Sequence, residues 1–375
     1  MGNTLFKKQE WYAVGNADDV TSPSLLVYPE RIEANIRKMI SMAGDISLLR
    51  PHVKTHKMPE IVRMQISEGI SKFKCATISE AEMAAGCGSK DILLAYQPVG
   101  PNMKRFFELK KRFPGSYLSC IADCETVLQL LSENAVANNS ETSVWLDINN
   151  GMDRTGIRPG DEAERLYRMM LSLPMLKPEG LHVYDGHIHE PDLLLRRKLC
   201  DEDFRPVETL VRKLHKYAGN NIKIVAGGTP TFPIHAKRPG VETSPGTVIL
   251  WDYGYSSSFT DMDFMHAAAI LARVISKPCK DTVCIDLGHK AVASEMPQPR
   301  IMIPELSDMK VISHNEEHMV IKSDQSADLE PGDILYAIPF HICPTVDRYD
   351  MVSVVRSGNV TEEWNVAARK RRISV

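Results

Sequence analysis

Four short apolar runs decide the fold: SLLRPHVK at Ser47–Lys54, KFKCAT at Lys72–Thr77, DILLAY at Asp91–Tyr96 and YLSCIA at Tyr117–Ala122. Each is the length of a buried strand, and each is followed by a segment with helical periodicity. The helical segments are Met58–Gly69, Ser79–Gly86, Asn102–Phe113 and Glu125–Asn134. The alternation continues through strand-like runs at Ser143–Asn149, Gly180–Tyr184, Ile222–Gly227 and Val241–Leu250, with helical patterns at Asp161–Leu173 and Asp192–Tyr217. Eight strand-then-helix units over roughly 230 residues have the size and rhythm of a (β/α)8 barrel, an α/β architecture. A doubly wound open sheet is the competing arrangement.

Beyond about residue 260 the rhythm changes. Val283–Leu287, Lys310–Ser313, Glu317–Lys322, Asp333–Ile338 and Met351–Arg356 are strand-like runs with no long helix between them. Ser357-Gly358-Asn359 is a hairpin turn signal. The expected organisation is a barrel over residues 23–260 and a mostly antiparallel β domain over 261–375, joined by residues 1–22.

Composition excludes several classes. In 375 residues, 43% are hydrophobic and 25% charged, with a net charge of −3, which is ordinary globular usage. Neither a nucleic acid nor an acidic membrane is called for. No apolar run approaches the roughly 20 residues of a membrane span. The start, MGNTLFKKQEW, has no apolar core and reads as neither a secretory signal nor a clear myristoylation site. The eight cysteines then read as reduced thiols of a cytoplasmic protein.

A lysine at the C-terminal end of a barrel strand points into the mouth where such barrels do chemistry. Lys54 holds that position and could form a Schiff base. Gly227-Gly228-Thr229 follows a strand-like run, and two glycines there let backbone N–H groups approach an anion. Gly246 and Thr247, near the expected eighth strand, could supply more amide donors. His341 and Cys343, two apart in an extended run, would face the same side and suit zinc.

Six runs together carry a resemblance: RPHVKTHK at 50–57, FKCATISEAE at 73–82, GLHVYDGH at 180–187, AGGTPT at 226–231, SPGT at 244–247 and HICPTV at 341–346. In this order and spacing they resemble the D-threonine aldolase and D-serine dehydratase group, within the alanine-racemase-like fold type of pyridoxal-phosphate enzymes. The likeness extends from about Ser22 to the C-terminus. It implies a pyridoxal 5′-phosphate barrel plus a β domain, with Lys54 bonded to the cofactor. It places the cofactor phosphate at Gly227, Gly228, Thr229, Gly246 and Thr247, Arg154 near the phenolic oxygen or the substrate carboxylate, and Tyr184 against the ring. His187 becomes the base at the β-hydroxyl, with His189 as the alternative. His341 and Cys343 become ligands of a divalent metal (Zn, Mn or Mg), and the assembly a homodimer.

The implied reaction is retro-aldol cleavage of a D-β-hydroxy amino acid, such as D-threonine, to glycine and an aldehyde. The DGHIH segment looks aldolase-like, whereas a His-x-Cys pair looks more like the zinc-using dehydratases. D-serine-type β-elimination to a 2-oxo acid and ammonia is therefore the runner-up. A racemase would leave the metal pair without purpose, and a non-catalytic cofactor carrier would not need the second domain.

Overall fold

The computed structural model describes residues 10–219 and 222–375. It divides into two compact units: one runs to Ile36 and resumes from Thr247 to Val366, the other comprises Arg37–Gly246 and Ala367–Val375. Strand β1 (Ser24–Val27) lies in the first, and helix α1 (Pro29–Ala43) carries the chain from one to the other. No helix among the described residues is long and apolar enough to cross a membrane.

The larger unit is the barrel. After α2 (Pro59–Ser67) it alternates β2 (Lys72–Cys75), α3 (Ile78–Gly86), β3 (Asp91–Leu94), α4 (Pro101–Arg112), β4 (Tyr117–Ala122), α5 (Glu125–Ala137), β5 (Thr142–Ile148) and α6 (Asp161–Ser172). It continues with β6 (Leu176–Val183), α7 (Leu193–Ala218), β7 (Lys223–Ala226), α8 (Phe232–His235) and β8 (Val241–Thr243). β2 to β8 form one parallel sheet in sequence order. Leu93, Ile121, Trp145 and Val225 cluster as a buried core of this sheet.

The ring closes through a segment that is not a regular strand. Ile46–Leu48 is a 3-10 turn, and only Leu49 and His52 form ladder bridges, to Thr243 and Lys74. Pro51 explains this, because it has no N–H to give to a ladder. The flanking residues still bond both neighbours. Arg50 N–H donates to Thr243 O at 2.9 Å and His52 N–H to Pro245 O at 2.9 Å, while Val53 N–H donates to Lys74 O at 3.0 Å.

Side-chain charge completes the closure. Arg50, 1% exposed, donates through both terminal nitrogens to Asp91 at 2.7 and 2.9 Å and through Nε to Glu242 at 2.7 Å. Lys72 bonds the other oxygen of Glu242. Asp91 and Lys72 open their strands, so this network plugs the N-terminal end of the barrel.

The last nine residues return to the barrel unit. Ala368 N–H donates to Lys57 O, Ser374 bonds Glu82, and Arg105 Nε donates to Val375 O at 2.9 Å.

The other unit is built on a nine-stranded sheet. Its strands after β1 are β9 (Ala268–Cys279), β10 (Thr282–Ile285), β11 (Ile301–Met302), β12 (Lys310–His314), β13 (Met319–Lys322), β14 (Ile334–Pro339), β15 (Met351–Arg356) and β16 (Asn359–Asn365). Long β9 pairs antiparallel with β1, β10 and β14, whereas β1 runs parallel to β15. Its short helices are α9 (Tyr253–Ser258) and α10 (Ile342–Val346). β15 and β16 meet at Ser357-Gly358, both at positive φ, the mirror-image turn that matches strand twist. Tyr12, Leu26, Leu271, Tyr336 and Ile338 form its buried cluster.

Arg50→Met removes the cation that Asp91 and Glu242 share. Breaking a buried pair from one side costs about 3–5 kcal/mol, so the urea midpoint should fall by that equivalent. An unchanged midpoint would mean that the closing network carries no stability.

Candidate active site

The C-terminal ends of the barrel strands bring several expected residues together. Tyr184 follows the last residue of β6, and three cations surround its ring. Lys54 Nζ lies 5.8 Å from the centroid, Lys74 Nζ 5.6 Å and the Arg154 guanidinium carbon 4.9 Å. None of the three hydrogen-bonds a carboxylate among the described residues. Three like charges beside one aromatic ring repel each other at close range, and an anionic group bound there would offset that cost.

Lys54 sits in the turn directly after the bridge at His52, and its N–H donates to His52 Nδ1 at 3.3 Å. The turn is held from beyond. Lys57, at φ 54°, donates from Nζ to Glu80 Oε1 at 2.7 Å, and the other Glu80 oxygen accepts from Ala76 N–H at 2.6 Å. Thr77 caps α3 by accepting from Glu80 N–H, so the cap of one helix also fixes the lysine turn.

Lys74, His182 and Asp147 were not among the residues singled out from sequence. Lys74 is 2% exposed and donates to His182 Nε2 at 3.4 Å. His182 Nδ1–H donates to Asp147 Oδ1 at 2.7 Å, which fixes the tautomer. Burial, with the charge of Lys54 second, lowers the Lys74 pKa to about 7. The sequence signal was a lysine between Phe73 and Cys75 in a strand otherwise made for burial.

The glycine loop has a more specific geometry than its composition suggested. Gly227 N–H already donates to Val183 O at 2.9 Å, so it is not an anion donor. Gly227 is required for space and conformation instead. Its φ is +76°, and a Cβ there would meet His235 and Thr231 atoms at 2.7 Å. Gly228 N–H makes only a long 3.3 Å bond to Thr231 Oγ1 and keeps the freedom to turn to a phosphate. Gly246 N–H donates to Thr229 Oγ1 at 3.1 Å, and a Cβ on Gly246 would meet His52 O at 3.0 Å. The glycine loops thus pack onto the lysine turn. Cations without carboxylates, a ring between them and close-packed glycine loops fit a phosphorylated pyridine cofactor.

A buried bracket holds the loop from behind. Asp185 accepts from Thr231 Oγ1 at 2.8 Å and from His235 Nε2–H at 2.7 Å, and Cys200 Sγ lies 3.4 Å from the same nitrogen. Asp185, Cys200 and His235 are all metal-ligand types in reach of one point. Zinc would hold its oxygen and nitrogen ligands about 3.3 Å apart, so the 2.7 Å pair has hydrogen-bond geometry. Burial raises the Asp185 pKa, but His235 and Thr231 outweigh it, and the carboxyl stays below its ordinary range.

His187 is exposed and tied to a carboxylate. Its Nε2–H donates to Asp203 Oδ2 at 2.7 Å, on α7, and a Cβ on Gly151 would meet the same nitrogen at 2.8 Å. His189 is exposed.

In the sheet unit, His341 and Cys343 are adjacent, but not through extended backbone. His341 is the N-cap of α10, and Cys343 lies within the helix. His341 Nδ1–H donates to Glu295 Oε1 at 2.5 Å, which leaves Nε2 to face an ion. Thr247 Oγ1 lies 3.6 Å from Cys343 Sγ, so Thr247 sits with this pair in the sheet unit. Asp252 steadies α10 by accepting from Ile342 N–H at 3.0 Å. Burial opposes charge on His341, but the Cys343 hydrogen bond and the Asp252 and Glu295 carboxylates push its pKa up to about 9. A cation is thus favoured between imidazole, sulfur and carboxylate, and the donor set fits a divalent metal.

Similarity to known proteins bears on the family and the fold. The family model "Alanine racemase, N-terminal domain" matches residues 27–253, and "Putative serine dehydratase domain" matches residues 267–355. The chain is 29% identical to a D-threonine aldolase of Arthrobacter sp. over 93% of each chain. It is 22% identical to a D-threo-3-hydroxyaspartate dehydratase of Delftia sp., covering 92% of this chain and 96% of that one. The crystal structure of D-threonine aldolase from Filomicrobium marinum superposes with a TM-score of 0.86 at 26% identity, over 95% of this chain and 98% of that one. Both curated relatives are lyases.

Lys74 makes a pH prediction. Its folded pKa of about 7 lies below the usual lysine value of about 10.4. Between these values the unfolded chain binds more protons, so stability rises with pH; the burial cost is fully present below about pH 7. In urea titrations of the apoprotein from pH 7 to 9, wild type should gain stability relative to Lys74→Met. Parallel profiles would contradict the shifted lysine.

Proposed function

The chain belongs to the family of the alanine racemase N-terminal domain, and from that membership we propose that it is a pyridoxal-phosphate-dependent lyase. On this reading it cleaves a D-threonine-like β-hydroxy amino acid to glycine and an aldehyde. The observation that carries the reading is the Tyr184 ring set among Lys54, Lys74 and Arg154. The 29% identity to an aldolase along 93% of the chain supports the choice of bond.

Pyridoxal phosphate, when bound, supplies a sink for the electron pair left at Cα. Lys54 holds it covalently, Tyr184 supports the ring, and Gly228, Thr229 and Gly246 line the phosphate position. Arg154 takes the phenolic oxygen or the substrate carboxylate, for which a permanent planar cation is suited. Lys74, with a pKa near neutrality, accepts or returns a proton in that environment. His187, oriented by Asp203, takes the β-hydroxyl proton in the cleavage. His341 and Cys343 would hold the divalent ion, whose contribution is Lewis acidity toward a hydroxyl oxygen.

β-Elimination to a 2-oxo acid and ammonia is the second reading. The His341–Cys343 pair and the match of residues 267–355 favour it. In it Lys54 removes the α-proton, and His187 has no essential part.

Product analysis with D-threonine and D-serine separates the two. Glycine and acetaldehyde support the aldolase, with His187→Ala slower by roughly 10²–10⁴; a 2-oxo acid and ammonia, with His187→Ala near normal, establish the dehydratase. Borohydride reduction should fix the cofactor to the peptide containing Lys54, and a different labelled lysine would refute the site.

The metal reading has its own test. Glu295→Gln, which weakens the orientation of His341, should lower zinc affinity by roughly 10–100-fold in a chelator competition. Unchanged affinity would remove Glu295 from the ion's surroundings.

A further inference from the structure

Beside His341, the sheet unit holds a group of cations that the proposed chemistry does not use. Arg300 precedes β11, and its carbonyl accepts from Phe340 N–H at 2.8 Å, one residue before His341. Arg348 follows α10, with its N–H on Thr345 O at 3.0 Å. His314 ends β12, and its ring meets that of His289 at 5.9 Å. Arg300 Nε donates to Met296 O at 2.8 Å and Nη1 donates to His314 Nδ1 at 3.1 Å.

That last contact sets the chemistry. A guanidinium only donates, so His314 Nδ1 accepts and the imidazole is neutral. Burial, then the charge of Arg300, holds the His314 pKa down to about 4, and Arg348 contributes in the same direction. Neither arginine has a carboxylate partner among the described residues. Four acids of this region are committed: Glu295 to His341, Glu316 and Glu317 to Lys290, and Asp286 to Ser22 and to Arg273 N–H. Two polar atoms here are buried without a hydrogen-bond partner: Arg348 Nε and the Tyr349 hydroxyl. A buried donor left unpaired is costly, and a bound acceptor relieves that cost.

We propose that Arg300, Arg348 and Tyr349, with neutral His314 as spacer, bind a small oxyanion beside the His341–Cys343 pair. The ligand chemistry is a carboxylate or inorganic oxyanion, matched by guanidinium forks. It comes either as the side-chain carboxylate of a substrate or as a free anion. Only the substrate source rests on the lyase reading.

The test uses the holoenzyme. Malonate and sulfate are titrated by calorimetry at constant ionic strength, with chloride as the control. Wild type should show saturable binding, weakened at least 10-fold in Arg300→Gln and in Arg348→Gln and largely kept in Arg348→Lys. Absence of saturable binding in wild type, or equal affinity in folded Arg→Gln variants, overturns the proposal. Turnover then separates the sources. If both Arg→Gln variants lose kcat/KM at least 10-fold for D-3-hydroxyaspartate but not for D-threonine, the ligand is the substrate's carboxylate. If anion binding is lost while both turnovers persist, the ligand is a free anion. Anion binding without turnover of either amino acid would sink the lyase reading and keep the anion site.

Discussion

The buried guanidinium of Arg50 is the constraint on which the barrel depends. The segment that closes the ring contains Pro51 and cannot ladder fully with its neighbours. Arg50 replaces the missing backbone bonds with charge-assisted ones, reaching Asp91 on β3 and Glu242 on β8. Such pairs repay desolvation only when the geometry is good and the remaining lone pairs are met. Here the bidentate contact to Asp91 and the second cation, Lys72, meet that condition. Four residues further on, Lys54 emerges at the other end of the barrel, placed by the same closing segment.

The two ends of the barrel therefore treat charge in opposite ways. At the N-terminal end Arg50 and Lys72 have carboxylate partners. At the C-terminal end Lys54, Lys74 and Arg154 gather about Tyr184 with no carboxylate hydrogen-bonded to them among the described residues. Such an arrangement lowers the stability of the empty barrel and raises its affinity for an anionic group, the usual division between the stabilising and working faces of this architecture. His182 and Asp147 soften the repulsion by giving Lys74 a neutral acceptor. The Asp185–Thr231–His235 bracket then holds the glycine loop, and Gly228 N–H gives only a long bond to Thr231 Oγ1.

The sheet unit follows a related logic on a smaller scale. Asp252 and Glu295 surround the His341–Cys343 pair with negative charge and favour a cation there. In the same unit Arg300 and Arg348 have no carboxylate hydrogen-bonded to them among the described residues.

Much of this was legible in the chain. The strand-then-helix rhythm gave the barrel, because periodicity reports burial directly, and the Ser357-Gly358 turn followed from backbone conformation alone. Lys54, Tyr184, Gly228 and the His341–Cys343 pair stood out because their motifs are local. Lys74 and His182 did not, since a polar residue inside a buried strand declares its partner only when the strands are curled into a ring. Gly227 was legible as a glycine but not in its role: its N–H belongs to Val183, a bond between strands far apart in sequence. His187 was placed by a residue on α7, Asp203, that no local spacing relates to it. The sequence by itself determined which elements form and which side chains bear chemistry, because both depend on short-range pattern. Only the tertiary structure decided which charges are paired and which left without a partner, because Coulomb energy depends on distance and burial, and neither can be read along a chain.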